Sequence, residues 1–472
     1  MVATRAWIAA RGIGLQAAPR AALRARMAPI PMRRIEPVRV QARHASTARP
    51  LGTVSVKAGV LFAGLTALAF GLTVYGVWEY LAAFRVWPKE LREPLRAALK
   101  AKNRGNLARS AKKFREALDI ARSLEPRVLG ADPVLKISGI AIALSDVLEQ
   151  DNKFQDAALV YLDALDEVLG RGAYAADAAP PRTALERMRA VGLAQKIGDL
   201  AEHNGAVVPA FDDGVGRKTN DPAEGYLSWS VDELLRLLRS ERAQGEEPTL
   251  LSELHLPPWV AKQDIGASVE ALGAFYAARG VAEYAVPLYL QAISILLPAA
   301  GTGQKSAPPT VAERCRAAIL MNNISQVLAQ GKRPALPEGA PAPSASPLDQ
   351  ASAWATKGLD LATITSYRAG FLSSLPDDEQ EWLLRFSGFD PAKVGLAPVV
   401  EAQNTERFDQ VKNQCLGTQF VLLYNLAMYH EMRSDQDTAR TLFRRAMRHA
   451  DRLGLREARA QCARSLARID RK

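Results

Sequence analysis

The chain has 472 residues, 48% hydrophobic and 24% charged, a globular composition that supplies core for two or three domains and excludes a largely disordered protein. Its formal charge of +11 is concentrated at one end: residues 1–57 hold eleven Arg and Lys against the single acid Glu36, so the remainder is nearly neutral and a nucleic-acid role loses its main support. Three widely spaced cysteines, Cys315, Cys415 and Cys462, with no CxxC, fit neither a disulfide framework nor a zinc site. They read as small buried side chains, with one pair left open in a compartment of some oxidising capacity.

Residues 1–48, rich in Arg and Ala with Ser46 and Thr47 near their end, have the composition of a mitochondrial transit segment, drawn to anionic membranes and along the inner-membrane potential. Processing is expected near Arg43 to Ser46, and residues 49–57 form a basic flank. Ala58 to Trp78 is a run of twenty-one residues without a charge. As a helix it is about 31 Å long, enough to cross a bilayer core of roughly 30 Å. Trp78, Tyr80 and Trp87 stand where an aromatic belt belongs. With the basic residues ahead of the span and a balanced flank behind it, the N-terminus is expected in the matrix and the C-terminal region in the intermembrane space of a single-pass inner-membrane protein.

After a juxtamembrane segment over 79–90, apolar residues recur at helical spacing and one register returns four times. Small residues occupy Ala98, Ser145, Gly273 and Ala427, and twelve positions on stand Ser110, Ala157, Ala285 and Ala439. Four beyond these come Phe114, Tyr161, Tyr289 and Phe443, and three further on Ala117, Ala164, Ala292 and Ala446. Small residues let the two helices of a hairpin approach, and the aromatic fills the gap to the next hairpin. The pattern resembles tetratricopeptide repeats, two over 91–171 and one each over 266–299 and 420–453. The fold expected is all-α: a tetratricopeptide-like helical-hairpin solenoid with one N-terminal transmembrane helix.

Residues 182–240 are expected to form a divergent hairpin, and 311–365 another, interrupted by a Pro-rich insert at 331–347 that is too dense in Pro and Gly to pack. A capping helix is expected over 454–472, while 373–408 gives no clear pattern.

Little in the chain looks catalytic. Gly301 to Ser306 imitates a phosphate loop, but Gln304 replaces the required Gly, no strand precedes it, and Pro308 and Pro309 forbid the following helix. His430-Glu431 begins like a zinc-protease helix, yet Ser434 stands where the second His must be. The five histidines form no pairing with an acid and a nucleophile, so no enzyme activity, metal or cofactor is expected. What remains is the inner face of the solenoid, able to hold an extended peptide or a partner helix. Its candidates are first-helix residues: Lys102, Glu149, Tyr276, Asn322, Asn323, Tyr424, Asn425 and Tyr429. Asn matches the donor and acceptor of a peptide backbone, and Tyr adds contact area with a hydroxyl.

The run FRVWPKELREPLRAAL, Phe84 to Leu99, directly after the span, and the stretch from Cys415 through Tyr424, Asn425, Leu426 and His430 to Ala446 resemble the fungal membrane-anchored tetratricopeptide adaptor subunit of the mitochondrial i-AAA protease supercomplex. That resemblance implies a non-catalytic protein of the inner-membrane bilayer. It would bind unfolded or misassembled proteins and associate with the i-AAA protease and a small inner-membrane adaptor subunit, without nucleic acid. The alternative is a scaffold or assembly factor for another inner-membrane complex.

Overall fold

The computed structural model describes residues 69–76, 78, 86–171, 182–212, 221–240, 262–298, 308–330, 346–389 and 406–471. The transit segment, its basic flank, residues 58–68 of the expected span, the phosphate-loop imitation at 301–306 and residues 331–345 of the Pro-rich insert lie outside them. All regular structure among the described residues is helical. From Val134 onward the helices pack in succession as a solenoid-like arrangement, and no helix among the described residues is long and apolar enough to cross a membrane.

The described residues from 69 to 133 belong to one compact unit. Its first described stretch, 69–76 with 78, is helix exposed on every side, Phe70, Leu72, Val74, Tyr75 and Trp78 all standing more than half in the open. Then come α1 (Lys89–Asn103), α2 (Leu107–Ser123) and the single turn α3 (Pro126–Leu129). Pro88 is the N-cap of α1, one place ahead of the first turn where a proline's missing N–H is best tolerated. The α1–α2 pair is closed by Leu91, Ala98, Phe114, Ala117 and Ala121, none more than 2% exposed.

Residues from Val134 onward form the second unit. In order they give α4 (Pro133–Gln150), α5 (Phe154–Leu169), α6 (Ala184–Asn204), α7 (Pro222–Ser240), α8 (Lys262–Ala278), α9 (Ala282–Leu296), α10 (Val311–Gln330) and α11 (Pro347–Arg368). A 3₁₀ turn at Phe371–Ser374 leads to α12 (Asp377–Phe386), and α13 (Glu406–Met432), α14 (Gln436–Arg452) and α15 (Arg456–Ile469) complete the chain. The stretch without a sequence pattern thus holds a short helix and a 3₁₀ turn, and Pro347 begins α11 behind a Ser346–Asp349 capping box.

Four hairpins, α1–α2, α4–α5, α8–α9 and α13–α14, share their turn bond for bond. Seven residues after the first small position comes a residue with a left-handed backbone: Gly105, Asn152, Gly280 and Ser434, with φ of 75, 58, 75 and 66°. The next N–H reaches back over the end of the first helix, from Asn106 to Ala101, Lys153 to Leu148, Val281 to Tyr276 and Asp435 to His430, at 2.9, 2.9, 3.0 and 3.0 Å. This six-to-one bond is the Schellman closure, which satisfies an orphan carbonyl and reverses the chain in two residues. Gly454, with φ 69°, repeats it between α14 and α15, where Leu455 N–H meets Ala450 O at 2.9 Å.

The small positions then touch. Ser110 Oγ donates to Ala98 O at 2.9 Å, and Ser145 Oγ donates to Ala157 O at 3.3 Å, in each case across the hairpin. A Cβ on Gly273 would lie 3.1 Å from Tyr289 Cε1, closer than ordinary van der Waals contact, so glycine is what lets that tyrosine lie against α8. Ala285, Ala292, Ala427, Ala439, Phe443, Ala446 and Ala164 are fully buried, and Tyr161 and Tyr289 are 2% exposed. The α6–α7 pair follows the same steric rule through a longer connection: a Cβ on Gly198 would meet Leu227 Cγ at 2.7 Å.

Candidate functional site

Three first helices of successive hairpins, α6, α8 and α10, together with Leu227 of α7, line a cleft of about 150 Å³. Its floor exists because α8 presents Ala267, Ala271 and Ala274 on one stripe, leaving room that larger side chains would fill. Phe275 and Leu227 complete the apolar part. The polar rim is Asp199, Glu202 and His203 from α6, Glu270 from α8 and Arg316 from α10.

Each carboxylate of the rim is held by a cation from a neighbouring turn or helix. Arg316 donates to Glu270 Oε2 through Nε at 2.8 Å and lies 2.7 Å away through Nη2, joining α10 to α8. Burial raises the Glu270 carboxyl above its ordinary value, and Arg316 only partly opposes that. Arg279, one residue past α8, reaches Glu202 Oε2 at 2.7 Å with Nη1 and pairs closely with Asp221 through Nη2. Its guanidinium carbon stands 3.4 Å from the Phe275 ring centroid, a cation–π contact that fixes the ring. His203 lies 3.0 Å from Asp199, one helical turn back, and the hydrogen bond to that carboxylate raises the imidazole above its usual value. The cleft therefore carries a rim of paired charges over an apolar floor. A cleft of that volume is the size of one side chain.

The eight groove candidates divide. Glu149 accepts from Tyr161 Oη at 2.7 Å and from Lys196 Nζ at 3.2 Å, tying α4 to α5 and α6. Tyr276 donates to Glu224 Oε1 at 2.8 Å and packs against Phe275 and Tyr284. Lys102 and Asn323 are half-buried on α1 and α10. The other four are corrected: Asn322, Tyr424, Asn425 and Tyr429 are at most 7% exposed and face neighbouring helices, not a groove. Asn425 bonds Asn322, Tyr429 bonds Ser325, and Tyr424 Oη lies 3.3 Å from Ser465 Oγ. The physical reason is that α13 packs against α10, α11 and α14 at once, which leaves these side chains no open face.

Cys315 of α10 and Cys415 of α13 are joined by a disulfide with Cα atoms 5.3 Å apart, while Cys462 is free and buried. His430 pairs with Asp435 at 2.9 Å, and Glu431 is buried against Arg468, so that dipeptide is spent on structure. No group of side chains able to hold a metal ion occurs among the described residues. Sequence reasoning passed over the cleft because Glu270–Arg316 and Arg279–Asp221 join residues 46 and 58 positions apart. Only the Asp199–His203 pair, four apart on one helix, carried a local signal.

No family model matches the chain, and no curated protein matches it in sequence. Among solved structures it is similar to the crystal structure of BtubC (BKLC) from P. vanneervenii, at 14% identity over 74% of this chain and 92% of that one, with a TM-score of 0.41. A likeness at that level carries no functional meaning.

Proposed function

We propose that this chain is a membrane-anchored, non-catalytic adaptor of the mitochondrial inner membrane that binds unfolded or misassembled proteins and presents them to the i-AAA protease. The observation that carries the reading is the shared turn of the four hairpins, closed by the same backbone hydrogen bond at each left-handed residue. That regularity supports tetratricopeptide-type repeats, whose stacked first helices form a peptide-binding face. The exposed apolar helical residues 69–76 and 78, within an uncharged run of twenty-one residues, support a bilayer anchor. The Cys315–Cys415 disulfide supports placing the helical region outside the reducing matrix. The protease itself, and a small inner-membrane adaptor subunit beside it, are proposed on the resemblance of Phe84–Leu99 and Cys415–Ala446. Tethering raises the local concentration of bound client beside a membrane protease without demanding high intrinsic affinity.

A second reading, a scaffold or assembly factor for another inner-membrane complex, is favoured by the size of the cleft, since about 150 Å³ receives one side chain of a folded partner more readily than a long extended peptide. Crosslinking and mass spectrometry after mild detergent extraction separates the two. The adaptor recovers the AAA protease with many clients. A scaffold recovers one stable complex and no protease.

A further inference from the structure

Residues 436–472 hold ten Arg and one Lys against four Asp and Glu. On α14 this excess is ordered: Arg440, Arg444, Arg448 and Arg452 follow at intervals of four, with Arg445 beside them. Like charges four apart on a helix face each other and repel. The packing of α14 does not call for them, since its buried side is made by Ala439, Leu442, Phe443, Ala446, His449 and Ala450.

What lies against Arg445, Arg448 and Arg452 is α12, whose first turn is Asp377, Asp378 and Glu379, while Arg440 pairs with Asp437 and Asp470. Asp378 Oδ2 stands 3.9 Å from Arg445 Nη1 and 3.8 Å from Arg448 Nη1. Glu379, 3% exposed, lies 3.6 Å from Arg448 Nε and pairs closely with Arg452. The Arg445 guanidinium is 4.8 Å from the Trp382 ring centroid. Of the ten residues of α12 only Glu379 and Leu383 are fully buried, with Trp382 and Leu384 partly buried on the same core, so charge and apolar contact hold it down together.

The fit is loose. Three of the four carboxylate–arginine approaches run from 3.6 to 3.9 Å, longer than the roughly 2.7–2.9 Å of a direct charge-assisted hydrogen bond. No fork-on-fork pair forms in those three, and the arginines keep donor capacity that a better matched carboxylate pair would use. A face of this kind recognises an acidic helix.

We propose that the arginine stripe of α14 is a docking face for an acidic helical segment of a partner protein, bearing adjacent carboxylates with an aromatic residue three or four positions later, and that α12 occupies the face until such a partner displaces it. The inference does not depend on which protease or complex the chain serves.

The test uses the full chain in detergent micelles and a fluorescently labelled peptide with the sequence of residues 376–389, followed by anisotropy. In D378N/E379Q the internal helix is loosened and the peptide binds at least tenfold tighter than to the wild type; in R448E/R452E binding is lost. Equal affinity of D378N/E379Q and wild type, or undiminished binding by R448E/R452E, overturns the proposal. Should D378N/E379Q lose helical circular dichroism, W382A takes its place, because it loosens α12 by removing the ring that meets Arg445, Phe386 and the core while leaving both carboxylates in place, and it carries the same expectation. Phosphatidylcholine vesicles containing phosphatidylglycerol form the second arm: binding of D378N/E379Q to these but not to the peptide overturns the partner assigned here in favour of a lipid surface.

Discussion

Asn425 donates through Nδ2 to Oδ1 of Asn322 at 2.7 Å, joining α13 to α10 between two side chains that are each 5% exposed. Three residues on along α10 and four along α13, Ser325 donates to Asn322 O at 2.7 Å and lies 3.1 Å from the Tyr429 hydroxyl, which therefore donates to it. Losing one member of a buried amide pair strands the other, at roughly 1–3 kcal/mol, whereas removing both can be nearly neutral. Accordingly N425L is expected to lose stability of that order in urea denaturation, and N322L/N425L to regain most of it. A double variant as unstable as the single one contradicts the pairing.

The Cys315–Cys415 disulfide ties the same two helices across a sequence separation of 100. A closed loop of that length stabilises by about 4–5 kcal/mol if the link acts by restricting the unfolded chain. Reductant is expected to lower the melting temperature of the wild type and to leave C315S/C415S unchanged. Alkylation in denaturant without reductant should label Cys462 alone; labelling of all three cysteines contradicts the link.

Ser434 adopts φ 66° where two of the equivalent hairpin turns have glycine. A side chain in the left-handed region costs about 1 kcal/mol, partly offset by the greater freedom of glycine in the unfolded chain. Ser434→Gly is expected to stabilise by roughly 0.5–1 kcal/mol, and Gly280→Ala to destabilise by a similar amount. Opposite signs in thermal melts contradict the shared turn.

His449, 2% exposed with Nε2 3.0 Å from Leu416 O, has its imidazole pushed down to about 4 by burial, with the Leu416 carbonyl opposing. A group whose folded value lies below its unfolded one contributes stability that is complete above pH 6.5 and is lost as pH falls from 6.5 towards 4. The loss amounts to roughly 3 kcal/mol. His203 runs the other way, its value raised by Asp199, but that exposed pair contributes little. Stability measured at pH 7 and pH 5 should fall for the wild type and fall less for H449Q, which keeps a donor without titrating. Equal falls contradict the assignment.

The repeat register could be read from the chain because sterics specify each position: only small residues fit at 98, 145, 273 and 427, and a ring is needed at 114, 161, 289 and 443. Gly105 marked the first turn in the sequence, but the recurrence of a left-handed residue seven places on is not a sequence pattern, because Gly, Asn, Gly and Ser share a backbone conformation and not a side chain. Asn322, Asn425, Tyr424 and Tyr429 misled for the converse reason. Their side chains suit a peptide and a neighbouring helix equally, and only the packing of α13 against α10, α11 and α14 decides between them. The cleft and the α12–α14 contact rest on pairs far apart in sequence, for which no local pattern exists.

The most direct measurement is the turnover of a panel of inner-membrane and intermembrane-space proteins in cells expressing the chain with and without residues 79–472. The account predicts that the protease still assembles and that a subset of substrates is degraded more slowly while others are unaffected. Unchanged turnover across the panel contradicts it.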